Sequence, residues 1–123
     1  MLRTLDERRA GILEQLCELI VPGSARVGPV VYVDAVLTEM PPPARDAALA
    51  AIDALEAASG SAEPLAERER TPEFALVRAL AVEAFYSDFV APGKDGPGAW
   101  SEIGFHPPAT AHLQKDWSYL GVA

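Results

Sequence analysis

Proline and glycine cut this chain into lengths that suit helices and little else. Breaks fall at Pro22-Gly23-Ser24, Gly28-Pro29, Pro41-Pro42-Pro43, Ser59-Gly60-Ser61 and Thr71-Pro72. Between them, apolar residues recur at the three- and four-residue spacing of a helix face. The first stripe is Leu5, Ile12, Leu13, Leu16, Leu19 and Ile20, opened by Thr4-Leu5-Asp6-Glu7, which reads as a capping box with Thr4 as N-cap. A second helix starts near Pro29 and carries Val33, Val36, Leu37 and Met40 inward. The triple proline ends it and leads into a third helix, with Ala48, Leu49, Ile52 and Leu55 facing the core. Residues 62–70 are a charged connector with a helical turn around Leu65. Thr71-Pro72-Glu73 supplies an N-cap, a proline at the first helical position and an acid in the first turn. Phe74, Val77, Leu80, Ala81, Ala84 and Phe85 form the fourth stripe, which closes at Ser87-Asp88. Val30–Val33 has strand propensity but runs into a helical pattern. The expected fold is all-α, a small four-helix-type orthogonal bundle in a single domain, with residues 1–88 as the bundle.

From Phe89 to Ala123 the helical period fails. Pro92, Pro97, Pro107 and Pro108 and five glycines interrupt the backbone, yet seven of the nine aromatic residues lie between Phe85 and Tyr119. Disordered tails are poor in aromatics, so this irregular extension must place its rings against its own helices or against another protein.

The formal charge of −8, with 18 Asp and Glu against 10 Lys and Arg, disfavours nucleic acid and anionic membrane surfaces. No apolar run is long enough to span a bilayer. Arg8-Arg9 suggests a twin-arginine signal, but Glu14 and Glu18 interrupt what would be its apolar region. Cys17, the single cysteine, cannot form an intramolecular disulfide or a thiolate metal cluster. It lies on the apolar face of the first helix, as a buried packing thiol; the other reading is an intermolecular disulfide.

Catalytic candidates are thin. His106 and His112 have no partner at metal-ligand spacing, the serines lack a nucleophile-elbow sequence, and Gly93-Lys94-Asp95-Gly96 reads as a turn. Asp34 and Glu83 stand out as carboxylates within apolar helical stretches. Each is expected to meet an arginine, Arg26 or Arg78, or a set of backbone N–H groups; an acid–base pair is the minor alternative. Pro22-Gly23 is expected to be a helix stop, with a contact loop as the other reading.

Four stretches together resemble the gluconate 2-dehydrogenase subunit 3 family, the small subunit of flavin-dependent sugar and sugar-acid dehydrogenases. They are Leu16-Cys17-Glu18-Leu19-Ile20-Val21-Pro22-Gly23, Tyr32-Val33-Asp34-Ala35-Val36-Leu37, Phe85-Tyr86-Ser87-Asp88 and Gly98-Ala99-Trp100-Ser101-Glu102-Ile103-Gly104-Phe105. The resemblance covers most of the chain, and its specificity lies in the order and spacing of short pieces. It implies a mainly helical, non-catalytic assembly and export companion. Its partner would be a large glucose–methanol–choline-type subunit holding FAD and the catalytic histidine, with a cytochrome c as a further electron-accepting partner in such complexes. This chain would bind no cofactor and no metal itself.

Family members commonly begin with a twin-arginine signal, and this chain is expected to start at the mature domain. The expected compartment is the cytoplasm, or the periplasm if the partner carries the export signal or a leader was removed. The connector around residues 60–71 is also shorter than usual in the family. The residues expected to bind the partner are Tyr86, Trp100, Phe105, Trp117 and Tyr119. Of these, Trp100 and Phe105 would also fasten the extension to the bundle. Two other readings stand beside this one: a free-standing helical structural or interaction protein, monomeric or homodimeric, with the extension packed on its own bundle, and a small enzyme using Glu83, His106 or His112.

Overall fold

The computed structural model describes residues 2–104 and 120–121, and every regular element among them is helical. Six helices follow in order: α1 (Glu7–Ile20), α2 (Pro29–Glu39), α3 (Pro42–Ala54), α4 (Ala62–Ala66), α5 (Pro72–Tyr86) and α6 (Ala99–Glu102), with 3-10 turns at Ser24–Val27 and Glu56–Ala58. The all-α architecture is as the apolar periodicity indicates. α4 is the expected turn, and its Leu65 is buried. α6 lies inside the segment expected to be irregular.

The N-terminal cap is a correction. Asp6, not Thr4, caps α1, its carboxylate accepting the Arg9 backbone N–H at 2.8 Å. Thr4 is drawn away by α2: its backbone N–H donates to Asp34 Oδ1 at 2.8 Å, and its hydroxyl lies 2.7 Å from that of Thr38. The Thr38 hydroxyl proton is already committed to the Asp34 carbonyl at 2.7 Å, so Thr4 is the donor of that pair. The C-terminal stop is local. Val21 N–H bonds to the Cys17 carbonyl, and Gly23 takes the left-handed conformation (φ 87°). The Glu18 carboxylate then gathers the N–H groups of Gly23 (2.6 Å) and Ala25 (3.0 Å). Pro22-Gly23 is thus a helix stop tied by Glu18.

Proline sets the start of three other helices. Pro29, Pro42 and Pro72 each occupy the first turn, where a missing N–H has no intrahelical partner to lose. Thr71 caps α5 by accepting the Phe74 N–H at 3.2 Å. α5 is the central element, packing against α1, α2 and α3. It contributes Val77, Leu80, Ala81, Ala84 and Phe85 to a core shared with Leu13, Leu16, Val33, Leu37, Ile52 and Leu55. Cys17 is fully buried there, as its place on the apolar face of α1 implies.

The core does not stop where the helical period stops. Phe89 is fully buried and meets Tyr32 edge-on, with centroids 5.3 Å apart. Burying a ring of that size contributes on the order of 2–3 kcal/mol. Ala91 N–H donates to the Val27 carbonyl at 2.8 Å, seating residues 89–91 beside the α1–α2 connection. The fit needs Gly28, where a Cβ would lie 2.7 Å from that of Ala91. Leu120 is also buried, and its carbonyl accepts from Arg3 Nη2 at 2.8 Å.

A candidate interaction surface at the end of α5

The two acids singled out in the sequence have structural partners. Asp34, buried in α2, accepts backbone N–H groups from Arg3 (2.9 Å, Oδ2), Thr4 and Leu5 (both 2.8 Å, Oδ1). Of the two expected arrangements, the backbone N–H set is the one found. A carboxylate so supplied offsets its own desolvation and fixes the N-terminal segment to the bundle. Glu83 differs from the expectation: exposed on α5, it accepts from the Tyr32 hydroxyl at 2.9 Å, a donor that is neither an arginine nor a backbone N–H. Arg78 is exposed and lines a cleft of about 560 Å³ between α1, α4 and α5. Arg26 turns to the extension, where it pairs with Glu102 at 2.9 Å, an ion pair outside aligned hydrogen-bond geometry. It also donates to the Pro97 carbonyl and sits 5.8 Å from the centroid of the Phe85 ring.

These contacts surround a locked corner. Asp88, two residues past the end of α5, has φ 66°, an uncommon left-handed conformation for a residue other than glycine. Its carboxylate Oδ1 accepts the Trp100 backbone N–H at 3.1 Å, at the start of α6. Gly98 lies against the same carboxylate, so close that a Cβ would sit 2.1 Å from Oδ1. The Trp100 indole Nε1–H donates to the Tyr86 carbonyl at 2.9 Å, occupying one of the acceptors left over at the end of α5.

Trp100 therefore joins α6 to α5, and two of the five expected contact residues, Tyr86 and Trp100, come together here. Tyr86 is 45% exposed, its ring edge-on to Phe85 with centroids 5.1 Å apart. Ile103, just past α6, is 60% exposed. Phe105, Trp117 and Tyr119, like His106 and His112, lie outside the described residues.

In the sequence Ile103 stands inside the Gly98–Phe105 motif with no role of its own. Its signal was present, an apolar residue in a short run bounded by Gly98 and Gly104. Asp88 and Gly98 were likewise visible only as motif letters, because their contact spans ten residues of irregular chain. Among the described residues, no cluster of His, Cys, Asp and Glu is arranged to hold a metal ion, and no helix is long and apolar enough to cross a membrane. Comparison of the chain with protein-family models, with curated proteins and with solved structures gave no match.

Proposed function

We propose that this chain is a non-catalytic small subunit that binds and stabilises a large FAD-containing oxidoreductase of the glucose–methanol–choline type, acting on a sugar or sugar acid. The observation that carries the reading is the corner at the end of α5. Two of the motifs behind the resemblance, Phe85–Asp88 and Gly98–Phe105, are joined there through Asp88, Gly98 and Trp100. The joint holds Tyr86 and Ile103 out to solvent. Exposed aromatic and branched apolar side chains on a rigid support are the kind of anchor that dominates interface energy. Binding only the folded flavoprotein would stabilise it by mass action. FAD and the sugar would belong to the partner, and the compartment would follow from that partner's own address.

The test uses Tyr86→Ala and Ile103→Asp, both at exposed positions, in the full chain. Each is expected to leave the thermal midpoint within about 2 °C of the parent and to weaken binding to the flavoprotein about tenfold or more, roughly 1.4 kcal/mol. Parent-like binding by both variants would remove this corner from the interface. Removing everything from residue 90 onward is a poorer experiment, because Ala91, Ala99 and Leu120 are part of the core.

One observation favours the second reading, a free-standing helical protein whose extension packs on its own bundle. Leu120 is buried and tied to Arg3, so the far end of the extension returns to the chain's own N-terminal segment.

A further inference from the structure

A groove of about 670 Å³ runs between the first turns of α1, the segment before it and the start of α2. Its walls include Leu2, Ala10, Val30 and Val31, half-buried apolar residues. Its lining also carries the carboxylates of Asp6, Glu7 and Glu14, all on exposed residues, against the single ammonium of Lys94. Gly11 lies on the same lining, in the interior of α1. Glycine is the poorest helix former apart from proline. Yet Gly11 is exposed, has no left-handed φ, and a Cβ placed there would meet nothing within 4 Å. Nothing in the described fold requires glycine at this position; a segment lying close along the α1 backbone would.

We propose that this groove is a second docking site for the large flavoprotein subunit, receiving a segment that carries apolar side chains flanked by lysine or arginine. The inference rests on the small-subunit reading and extends it to a face that does not contain Tyr86, Trp100 or Ile103. The apolar walls call for apolar side chains, and the acidic lining calls for flanking cations. A second copy of this chain, itself at −8, would bring like charge to the groove.

The experiment compares the parent, Gly11→Gln and Glu14→Lys, each as the full chain, with a glucose–methanol–choline-type flavoprotein from the same organism as probe. In the isolated chain Gly11→Gln is expected to raise the thermal midpoint by about 3 °C, because glutamine is the better helix former. Its side chain should nevertheless obstruct the groove and weaken flavoprotein binding at least tenfold. Glu14→Lys should leave the midpoint within about a degree and weaken binding more at low salt than at high salt.

Parent-like binding by Gly11→Gln while the parent binds would overturn this inference alone. A lowered midpoint for Gly11→Gln would assign the groove to residues 105–119 of the same chain and overturn it too. No binding by the parent would remove the small-subunit reading and this inference together.

Discussion

Gly98 and Asp88 are packed so closely that a Cβ on Gly98 would lie 2.1 Å from the Asp88 carboxylate oxygen and 2.8 Å from the Asp88 carbonyl oxygen. The requirement for glycine at position 98 is therefore one of space, since its φ of −78° suits any residue. Gly98→Ala is expected to force Asp88 and the start of α6 apart, at the cost of about 1–3 kcal/mol usual for overpacking. Urea unfolding reads this directly, and an unchanged midpoint would contradict the lock.

Asp34 should behave as the fastening of the N-terminal segment. In Asp34→Ala three backbone N–H groups lose their acceptor, and a loss of about 3 kcal/mol is expected, since bonds to a charged group are among the stronger ones. Hydrogen exchange should accelerate at the amides of Arg3, Thr4 and Leu5 by more than the global destabilisation explains. Unaltered protection there would mean that the segment is held by its apolar contacts instead.

Cys17 offers a test of core integrity. Burial pushes its thiol up to about 12 from an ordinary 9.0, with Glu14 and Glu18 adding to the effect. The thiolate is the reactive form, so native protein at pH 8 should resist a thiol reagent until urea unfolds it. The raised value also means that the stability linked to this group is complete below about pH 9 and declines as pH rises from there toward 12. Fast labelling of the native chain, or a disulfide-linked dimer formed from it, would contradict the buried position.

At the opposite end of the pH scale, hydrogen bonds from Arg9 and Arg8 hold the Asp53 carboxyl down to about 2, below its ordinary 3.8. A depressed carboxyl stabilises the fold above about pH 4, and that contribution is lost as pH falls through 2. The pair lies at the surface, with the Asp53 side chain 35% exposed, so its energy is small and screened by salt. The sharper readout is the NMR titration of Asp53, which should move back toward 3.8 in Arg9→Ala. An unmoved titration would assign the depression to Arg8 alone.

Helix starts were the most legible part of the fold, because proline and N-cap chemistry act within a few residues. Thr71-Pro72 marks the start of α5 where the structure has it, and Gly28-Pro29 that of α2. The Thr4 cap misled for the opposite reason. Its competitor, Asp34, is thirty residues away, and sequence spacing gives no sign that Arg3, Thr4 and Leu5 will converge on it.

The partner of Asp34 was narrowed to arginine or backbone without a means to decide, since that depends on which element packs over α2. Phe89, Asp88 and Gly98 were hidden for a similar reason. Irregular backbone has no period, so burial and close approach along it are set by tertiary contacts such as Phe89 against Tyr32. Of the candidate surface, Tyr86 and Trp100 were legible as aromatics needing a place. Ile103 was legible as an apolar residue in a short run, but its exposure, like the acidic groove beside Gly11, emerged only from the fold.

The small-subunit reading stands or falls on association, and co-expression with a flavoprotein of the glucose–methanol–choline class from the same organism measures it. Size-exclusion chromatography at micromolar concentration should elute this chain and the flavin absorbance in one yellow peak, with the flavoprotein less stable when this chain is omitted. Separate elution of the two, with the flavoprotein equally stable alone, would contradict it.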